Sequence, residues 1–85
     1  MSATHYVLLR ADGTEDMKQV PDLSLELMQS LVGGHVEPIT LVDWVMLVDE
    51  DGLHKRLPVN LRASAIACTM IVGPAVLVPR NQGWG

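Results

Sequence analysis

The chain has 85 residues, 48% of them hydrophobic, and a formal net charge of −4 from ten acidic and six basic side chains. This length predicts one domain over residues 1–85, in which part of the apolar surface needs another chain for its burial. The dispersed negative charge argues against nucleic-acid binding, which requires a basic face. The single cysteine, Cys68, excludes an internal disulfide framework.

The sequence shows neither a signal peptide nor a membrane-spanning run, and this predicts the cellular location. The N-terminal residues MSATHYVLLR do not have the charged start and long apolar run of a signal peptide. No apolar run approaches the roughly 20 residues of a membrane-spanning helix. We therefore expect a cytoplasmic protein with no membrane partner.

The first 20 residues predict a β-hairpin. Residues 5–10 are mostly apolar and predict its first strand, and Asp12-Gly13 is a strong turn signal. Glu15 to Val20 then predicts a polar strand at an edge of the sheet.

A helix over about residues 24–33 is the clearest local signal. Ser24 is a typical N-cap, and Leu23 and Met28 stand at the two positions of a hydrophobic staple. Apolar residues at helical spacing form one stripe, and Gly33-Gly34 predicts the end of the helix. The stripe consists of Leu27, Met28, Leu31 and Val32.

Two strands are predicted after this helix. Residues 35–41 predict an edge strand or a bulge, because Pro38 lacks the N–H that a central strand donates. After a turn at Asp43, Trp44 to Val48 predicts a central strand, because apolar side chains occupy both of its faces. Trp44, Met46 and Val48 face one way, and Val45 and Leu47 face the other.

A second hairpin is predicted around Asp51-Gly52. This pair is typical of a two-residue turn, which requires a positive φ at Gly52. Leu53 to Leu57 would then return as a half-exposed strand, because apolar and charged side chains alternate there.

The remaining residues predict a short helix and a last strand. Asn60 is a suitable N-cap for a helix over about residues 61–67. The last strand is expected over residues 71–78, with a bend at Gly73-Pro74. Residues 79–85 form a polar tail of the same domain.

These elements predict an α+β fold, a small, mostly antiparallel, twisted sheet or partly open barrel of about five to six strands. The main helix, about 12 Å long at roughly 1.5 Å per residue, covers only two or three strands spaced about 4.8 Å apart. Three strands have two apolar faces, so either the sheet curls into a barrel or a second subunit covers its open face. We expect a homodimer, joined through the face or edge that the main helix leaves bare.

No cluster of residues predicts catalysis or metal binding. Asp49-Glu50-Asp51 with His54 lacks the alternating ligands and the later bidentate Glu of a calcium loop. The histidines at positions 5, 35 and 54 do not have the spacing of a zinc site. Cys68 lies among apolar neighbours, which predicts a buried and unreactive thiol. We therefore expect no enzyme activity, no catalytic residue, no metal and no cofactor.

Two sets of residues are candidates for binding. Trp84 lies between two glycines in the polar tail, where it could anchor a partner or fold back onto its own domain. Trp44 and Met46, which share one strand face, are the other candidates for partner contacts. For a small ligand, at the end of the sheet or between subunits, the candidates are His35, Glu37, Asn60 and Arg62.

Four blocks of sequence, in this order, resemble a family of small uncharacterised domains found in phages, in actinobacteria and other bacteria, and in archaeal viruses. The blocks are VGGHVE at 32–37, VDEDG at 48–52, LPVN with Ala63 at 57–63, and IVG at 71–73. The resemblance covers about residues 24–78, with Pro38 and Pro74 as departures that affect local strand pairing. It implies an origin in a mobile genetic element and a place in the cytoplasm of a bacterial host, and it implies no particular activity.

The leading hypothesis is a non-enzymatic binding protein, a phage or prophage accessory factor that engages a host protein. Surplus apolar surface and the exposed position expected for Trp84 favour it. The alternative is a small-ligand binding protein that sequesters a nucleotide-like signal.

Overall fold

The structure, a computed structural model, describes residues 4–82, which form five strands and two helices around one sheet. The strands are β1 (Thr4–Leu9), β2 (Glu15–Val20), β3 (Val36–Thr40), β4 (Trp44–Asp49) and β5 (Ala75–Pro79). The helices are α1 (Leu25–Val32) and α2 (Leu61–Ala67), and a short 3-10 turn (Arg80–Gln82) follows β5. Neighbouring strands are antiparallel, in the order β2-β1-β5-β4-β3. The predicted α+β fold is confirmed, and the sheet is open, with β2 and β3 as its edges.

The N-terminal hairpin follows its sequence signals. Thr4 pairs with Val20 and Leu9 with Glu15, so every residue of β2 has a partner on β1. In the turn, the Asp12 carboxylate accepts hydrogen bonds from the Thr14 N–H at 2.9 Å and from its hydroxyl at 2.6 Å. The prediction of a polar edge strand over β2 is confirmed.

Helix α1 begins and ends where its caps predict. The Ser24 hydroxyl accepts a hydrogen bond from the Leu27 N–H at 3.1 Å, and Gly33 ends the helix at a φ of 86°. Leu23 and Met28 are both buried in the same apolar cluster, as a hydrophobic staple requires. Within residues 4–82, neither helix has the length and hydropathy to cross a membrane.

The sheet separates two apolar layers. The layer under α1, which we call the α1 face, contains the side chains of Tyr6, Leu8, Leu23, Met28, Val32, Val45, Leu47, Val76 and Val78. The opposite layer, the α2 face, contains Leu9, Met46, Val48, Ala63, Ile71, Ala75 and Leu77. The alternation predicted for β4 is therefore correct, and this strand is central, between β5 and β3.

The second face of the sheet is covered differently from the prediction. Helix α2 covers part of it, because Ala63 is buried in this layer and Ala67 packs against it. Met46 belongs to the same layer and is fully buried. The main helix contacts mainly β5, β4 and β3, as its length predicts, and the expectation of a homodimer stays a prediction.

The predicted strand over Leu53 to Leu57 is wrong. This segment forms consecutive turns, in which the Lys55 N–H bonds to the Asp51 carbonyl and Arg56 has a φ of 56°. Gly52 does not have the predicted positive φ. It is buried, and a Cβ there would lie 2.9 Å from Cγ2 of Val72. The close packing of the Val72 side chain, and not a hairpin turn, explains glycine at this position.

The last strand starts four residues later than predicted. Val72 pairs with Val59 in an isolated bridge, and the chain bends at Gly73, whose φ is 74°, before β5 begins at Ala75. The bend at Gly73-Pro74 was predicted correctly. The bend lies between Val72, which pairs with Val59 in the loop before α2, and the residues of β5 in the centre of the sheet.

Candidate functional site

An open groove of about 660 Å³ lies on the α2 face, between the tip of the β3–β4 hairpin, α2 and the end of β5. We call it the Trp44 groove. It is lined by Thr40, Leu41, Val42, Asp43, Trp44, Ile66 and Arg80. The groove exists because α2 is short and covers only part of this face, which leaves the end nearest the hairpin tip open.

Trp44 forms one wall of the groove and is only half-buried. Its ring is in edge-on contact with the ring of His5 on β1, at a centroid distance of 6.0 Å and an angle of 80°. This contact restrains the indole, and His5 is not among the residues that line the groove. A restrained aromatic ring can bind a partner at a low cost in side-chain entropy.

The apolar rim of the groove is unusually exposed. Val42, in the hairpin turn, is 83% exposed, and Ile66 on α2 is 41% exposed. Hairpin turns normally carry polar residues or glycine, so an apolar residue there has a cost in solubility. The geometry indicates a surface suited to contact with another apolar group.

The charged part of the rim is Arg80. Its N–H donates a hydrogen bond to the Asp43 carbonyl at 3.1 Å, and its guanidinium donates one to the Val42 carbonyl at 3.3 Å. These bonds tie the 3-10 turn to the hairpin tip and hold the shape of the groove. The Asp43 carboxylate provides a second polar group on the same rim.

The three predicted partner-binding residues have different positions. Trp44 lines the groove, as a contact residue would. Met46 is fully buried in the layer of the α2 face and is a core residue of this chain. Trp84 lies outside the described residues, so its predicted role in partner contact stays a prediction.

Asn60, one of the predicted ligand residues, is a buried structural residue. Its side-chain oxygen accepts a hydrogen bond from the Ala63 N–H at 3.1 Å, which caps α2 as predicted. Its amide nitrogen donates to the carbonyls of Leu9 and Gly73, both at 2.9 Å. With its side-chain oxygen and both amide hydrogens engaged, the side chain has no donor left for a ligand.

The other three ligand candidates lie toward opposite edges of the sheet. Arg62 pairs with Glu15 on edge strand β2 at 3.0 Å, whereas Glu37 is on edge strand β3. Five strands with the usual spacing of about 4.8 Å place these edges about 19 Å apart. His35 precedes β3 and is exposed. The four residues therefore do not line one pocket.

Glu37 lines a second, smaller cavity of about 160 Å³ beside β3 and β4. Two more acidic residues, Asp49 and Glu50, line it, together with apolar groups that include Met70 and Ile71. Burial would raise the pKa of Asp49. However, hydrogen bonds from Lys55 and from the Asp51 N–H, and the charges of Lys55 and His35, together hold this pKa below its ordinary value. Most of the cavity lining is apolar, and exposed negative charge comes from Glu37 and Glu50, whereas the Asp49 carboxylate is buried and paired with Lys55.

The expectation that Cys68 is buried is wrong. Cys68 is exposed and ends α2 with a φ of 57°, and its N–H donates to the Ser64 carbonyl. Its apolar neighbours in sequence do not bury it, because Ile66 and Met70 are themselves exposed. Among residues 4–82, no group of three His, Cys, Asp or Glu side chains is placed to hold a metal ion.

Sequence reasoning missed the groove residues Val42, Ile66 and Arg80. Val42 carried a usable signal, because a β-branched apolar residue next to Asp43 in a turn is unexpected. Ile66 lies beside Ala63 and Ala67 on a helical wheel, about 60° and 100° from them, which indicates the edge of the packed face. Arg80 gave no signal, because its contacts with the hairpin depend on the fold.

Comparison with protein families identifies the chain. The family described as "Domain of unknown function (DUF3846)" matches residues 4–85. The chain belongs to this family. The match includes every strand and helix, so the Trp44 groove lies within the DUF3846 domain. No curated protein and no solved structure gives a significant match.

The four sequence blocks quoted above meet in two pairs in this DUF3846 domain through long-range hydrogen bonds. Lys55 joins Asp49 of VDEDG to the Gly33 carbonyl of VGGHVE, at 2.7 and 3.1 Å. Asn60 of LPVN donates to the carbonyl of Gly73 in IVG and to the Leu9 carbonyl at the end of β1. Both sets of contacts maintain the fold, and neither faces the Trp44 groove.

Proposed function

We propose that this protein is a non-enzymatic binding protein that engages another protein through the Trp44 groove. The observation that carries the proposal is an exposed apolar rim beside a restrained, half-buried Trp44. Apolar anchors inside a polar rim are typical of the centres of protein interfaces. The polar rim here is formed by Asp43 and Arg80.

The partner that fits this groove is a protein segment with an apolar anchor side chain. The groove is open and shallow, whereas small-molecule sites enclose most of their ligand. The resemblance described above supports a further part of the proposal. The protein would be a phage or prophage accessory factor, acting on a host protein in the cytoplasm of the host.

Sequestration of a nucleotide-like signal is the alternative function. The cavity beside Glu37 is the observation closest to it, but its volume of about 160 Å³ is below the roughly 300–1,000 Å³ of typical ligand sites. Carboxylates in its lining also repel phosphate groups. Both arguments favour the groove and a protein partner.

The experiment compares three forms of the protein as baits in a lysate of the bacterial host. The forms are wild type, Val42→Asp in the groove, and Leu61→Asp as a matched control. Leu61 is 78% exposed and does not line the groove, so both variants exchange an exposed apolar residue for the same charge. Mass spectrometry should find a protein that wild type and Leu61→Asp retain and Val42→Asp loses.

Binding of a purified candidate is then measured by fluorescence. In a Trp84→Phe variant, Trp44 is the sole tryptophan and reports on its own groove. A partner that occupies the groove should change the emission of Trp44. Val42→Asp should raise the Kd measured from this change at least tenfold, about 1.4 kcal/mol. Equal capture by all three baits, or saturable binding with no change in Trp44 emission, would contradict the proposal.

A further inference from the structure

The two edges of the sheet differ in their ability to pair with another strand. Beside β3, the Leu41 N–H donates to the Trp44 carbonyl, and the His35 carbonyl accepts from the Glu50 N–H. Backbone groups of successive residues point alternately toward β4 and away from it, so the nitrogen of Pro38 points outward. Proline has no N–H, which interrupts the outward row of donors in the middle of this edge. Strand β3 is therefore protected against pairing.

Strand β2 has no proline, so nothing interrupts its outward row of backbone donors. The Arg10 N–H bonds to the Thr14 carbonyl, and the β1–β2 register is continuous. Alternation along the pair turns the N–H and C=O groups of Glu15, Met17 and Gln19 away from β1. Helix α1 packs on β5, β4 and β3, and Met17 is 71% exposed. The outer edge of β2 is thus an uncovered row of donors and acceptors.

The side chains of β2 select one way in which two copies of this strand can pair. In an antiparallel pair of two β2 strands with a two-fold axis, the residues whose N–H and C=O groups point away from β1 must lie opposite each other, because these groups form the hydrogen bonds between the strands. With Met17 opposite Met17 on the axis, Glu15 lies opposite Gln19, and Asp16 lies opposite Lys18 on both sides of the axis. A shift by two residues in either direction places Asp16 opposite Asp16 or Lys18 opposite Lys18, and like charges in that position are destabilising.

One charge in this register is unpaired within the described chain, and the other is partly exposed. Lys18 is exposed and makes no ion pair with any of residues 4–82. Asp16 pairs with Arg10 of its own chain at 2.6 Å, with its side chain 44% exposed. Asp16 and Lys18 fall in the positions that do not exchange hydrogen bonds, where side chains of opposing strands are closest.

We propose that two copies of this chain form a dimer by antiparallel pairing of their β2 strands, with Met17 on the two-fold axis and Asp16 opposite Lys18 of the partner subunit. The two sheets join into one sheet of ten strands, with both α1 helices on the same side. One strand pair buries less than a standard interface of about 1,600 Å². We therefore expect a weak dimer, populated at about 100 μM and above. The proposal is independent of the Trp44 groove.

Disulfide trapping tests the register, in a Cys68→Ser background that removes the natural thiol. In Met17→Cys, the two thiols lie on residues about 5.5 Å apart between Cα atoms, within the range of a disulfide. In the matched control Gln19→Cys, the thiols are displaced by four residues, about 14 Å along the strands. Mild oxidation should link Met17→Cys into a species of twice 9.3 kDa, and should link Gln19→Cys much less. Equal linking of both, or of neither, would overturn the register.

Charge exchange tests the pairing without a covalent bond. Lys18→Asp places Asp opposite Asp, and Asp16→Lys places Lys opposite Lys, so sedimentation should find each variant monomeric where wild type dimerises. An equimolar mixture restores both opposite-charge pairs and should form a heterodimer with at least tenfold tighter binding than either variant alone. A misfolded variant would not be rescued by mixing. Wild type that stays near 9.3 kDa at millimolar concentration, or a mixture that stays monomeric, would overturn the proposal.

Discussion

The Lys55 ammonium lies 2.7 Å from the carboxylate of Asp49, whose side chain is only 1% exposed. The same ammonium donates to the Gly33 carbonyl at 3.1 Å, and so joins the end of α1 to the end of β4. A Cβ on Gly34 would lie 2.7 Å from the Lys55 nitrogen and 3.3 Å from the Asp49 carboxylate. The second glycine of the Gly-Gly pair therefore leaves space for this ion pair.

Replacing Lys55 with Met should destabilise the fold by about 1–3 kcal/mol, because it leaves a buried carboxylate with fewer partners. The matched control is Arg62→Met, which breaks an ion pair exposed on both sides and should cost about 0–1 kcal/mol. Urea unfolding of both variants measures the difference. Equal losses of stability would contradict a special role for the Asp49–Lys55 pair.

Acid should destabilise the protein through Asp49. The pKa of Asp49 is lower in the folded state than its ordinary value of about 3.9, so its ionisation stabilises the fold above about pH 4. That contribution is lost as the pH falls through the folded pKa. Unfolding measured from pH 3 to 7 should depend less on pH in Asp49→Asn than in wild type.

A second aspartate provides the comparison for this pH experiment. The pKa of Asp12 is lowered by hydrogen bonds from the hydroxyl and the N–H of Thr14, but its carboxylate is on an exposed turn. Solvent screens that site, so Asp12→Asn should change the pH dependence less than Asp49→Asn does. The reverse order would show that the buried pair is not the main source of acid sensitivity.

Asn60→Ala should cost about 3 kcal/mol. The variant loses the N-cap of α2, worth about 1 kcal/mol, and leaves the buried carbonyls of Leu9 and Gly73 without this donor, at about 1–3 kcal/mol. Ser24→Ala is the matched control, because it removes the N-cap of α1 alone and should cost about 1 kcal/mol. Urea unfolding measures both losses of free energy. If Asn60→Ala and Ser24→Ala lose the same amount, the two long-range hydrogen bonds of Asn60 contribute nothing to stability.

Local signals were sufficient to predict most of the elements. The caps Ser24 and Asn60, the Asp12-Gly13 turn and the alternation along Trp44 to Val48 each act within a few residues, so sequence spacing contains them. The segment from Leu53 to Leu57 misled the prediction because its alternation resembles a strand. Its actual conformation depends on Lys55 reaching Asp49 and Gly33, which the spacing does not reveal.

The candidate site was less predictable than the fold. Trp44 was identified because a large aromatic residue on a strand is conspicuous in any sequence. The groove beside it depends on α2 covering only part of its face, which follows from where Ala63 and Ala67 pack. Asn60 illustrates the same limit, because its bond to the Leu9 carbonyl crosses 51 positions of sequence.

Gly73→Ala should be more destabilising than Gly33→Ala, although both glycines have a positive φ of 74° and 86°. At Gly33 a Cβ meets no atom within 4 Å, so only the backbone conformation is penalised, at about 1 kcal/mol. At Gly73 a Cβ would also lie 2.6 Å from Cδ1 of Leu57, which predicts a total of about 2 kcal/mol or more. Equal midpoints of urea unfolding would mean that Leu57 moves aside without cost.

Cys68 should react rapidly with a thiol reagent in the folded protein. Cys68 is exposed, and its thiol donates a weak hydrogen bond to the Ala65 carbonyl at 3.9 Å. Access therefore does not limit the reaction, and labelling by DTNB at pH 8 should be within about tenfold of the rate in urea. The unfolded protein is its own control, because it has the same thiol without the fold. Protection of several hundredfold in the native state would instead place Cys68 in an interior or an interface, and would contradict the exposed end of α2.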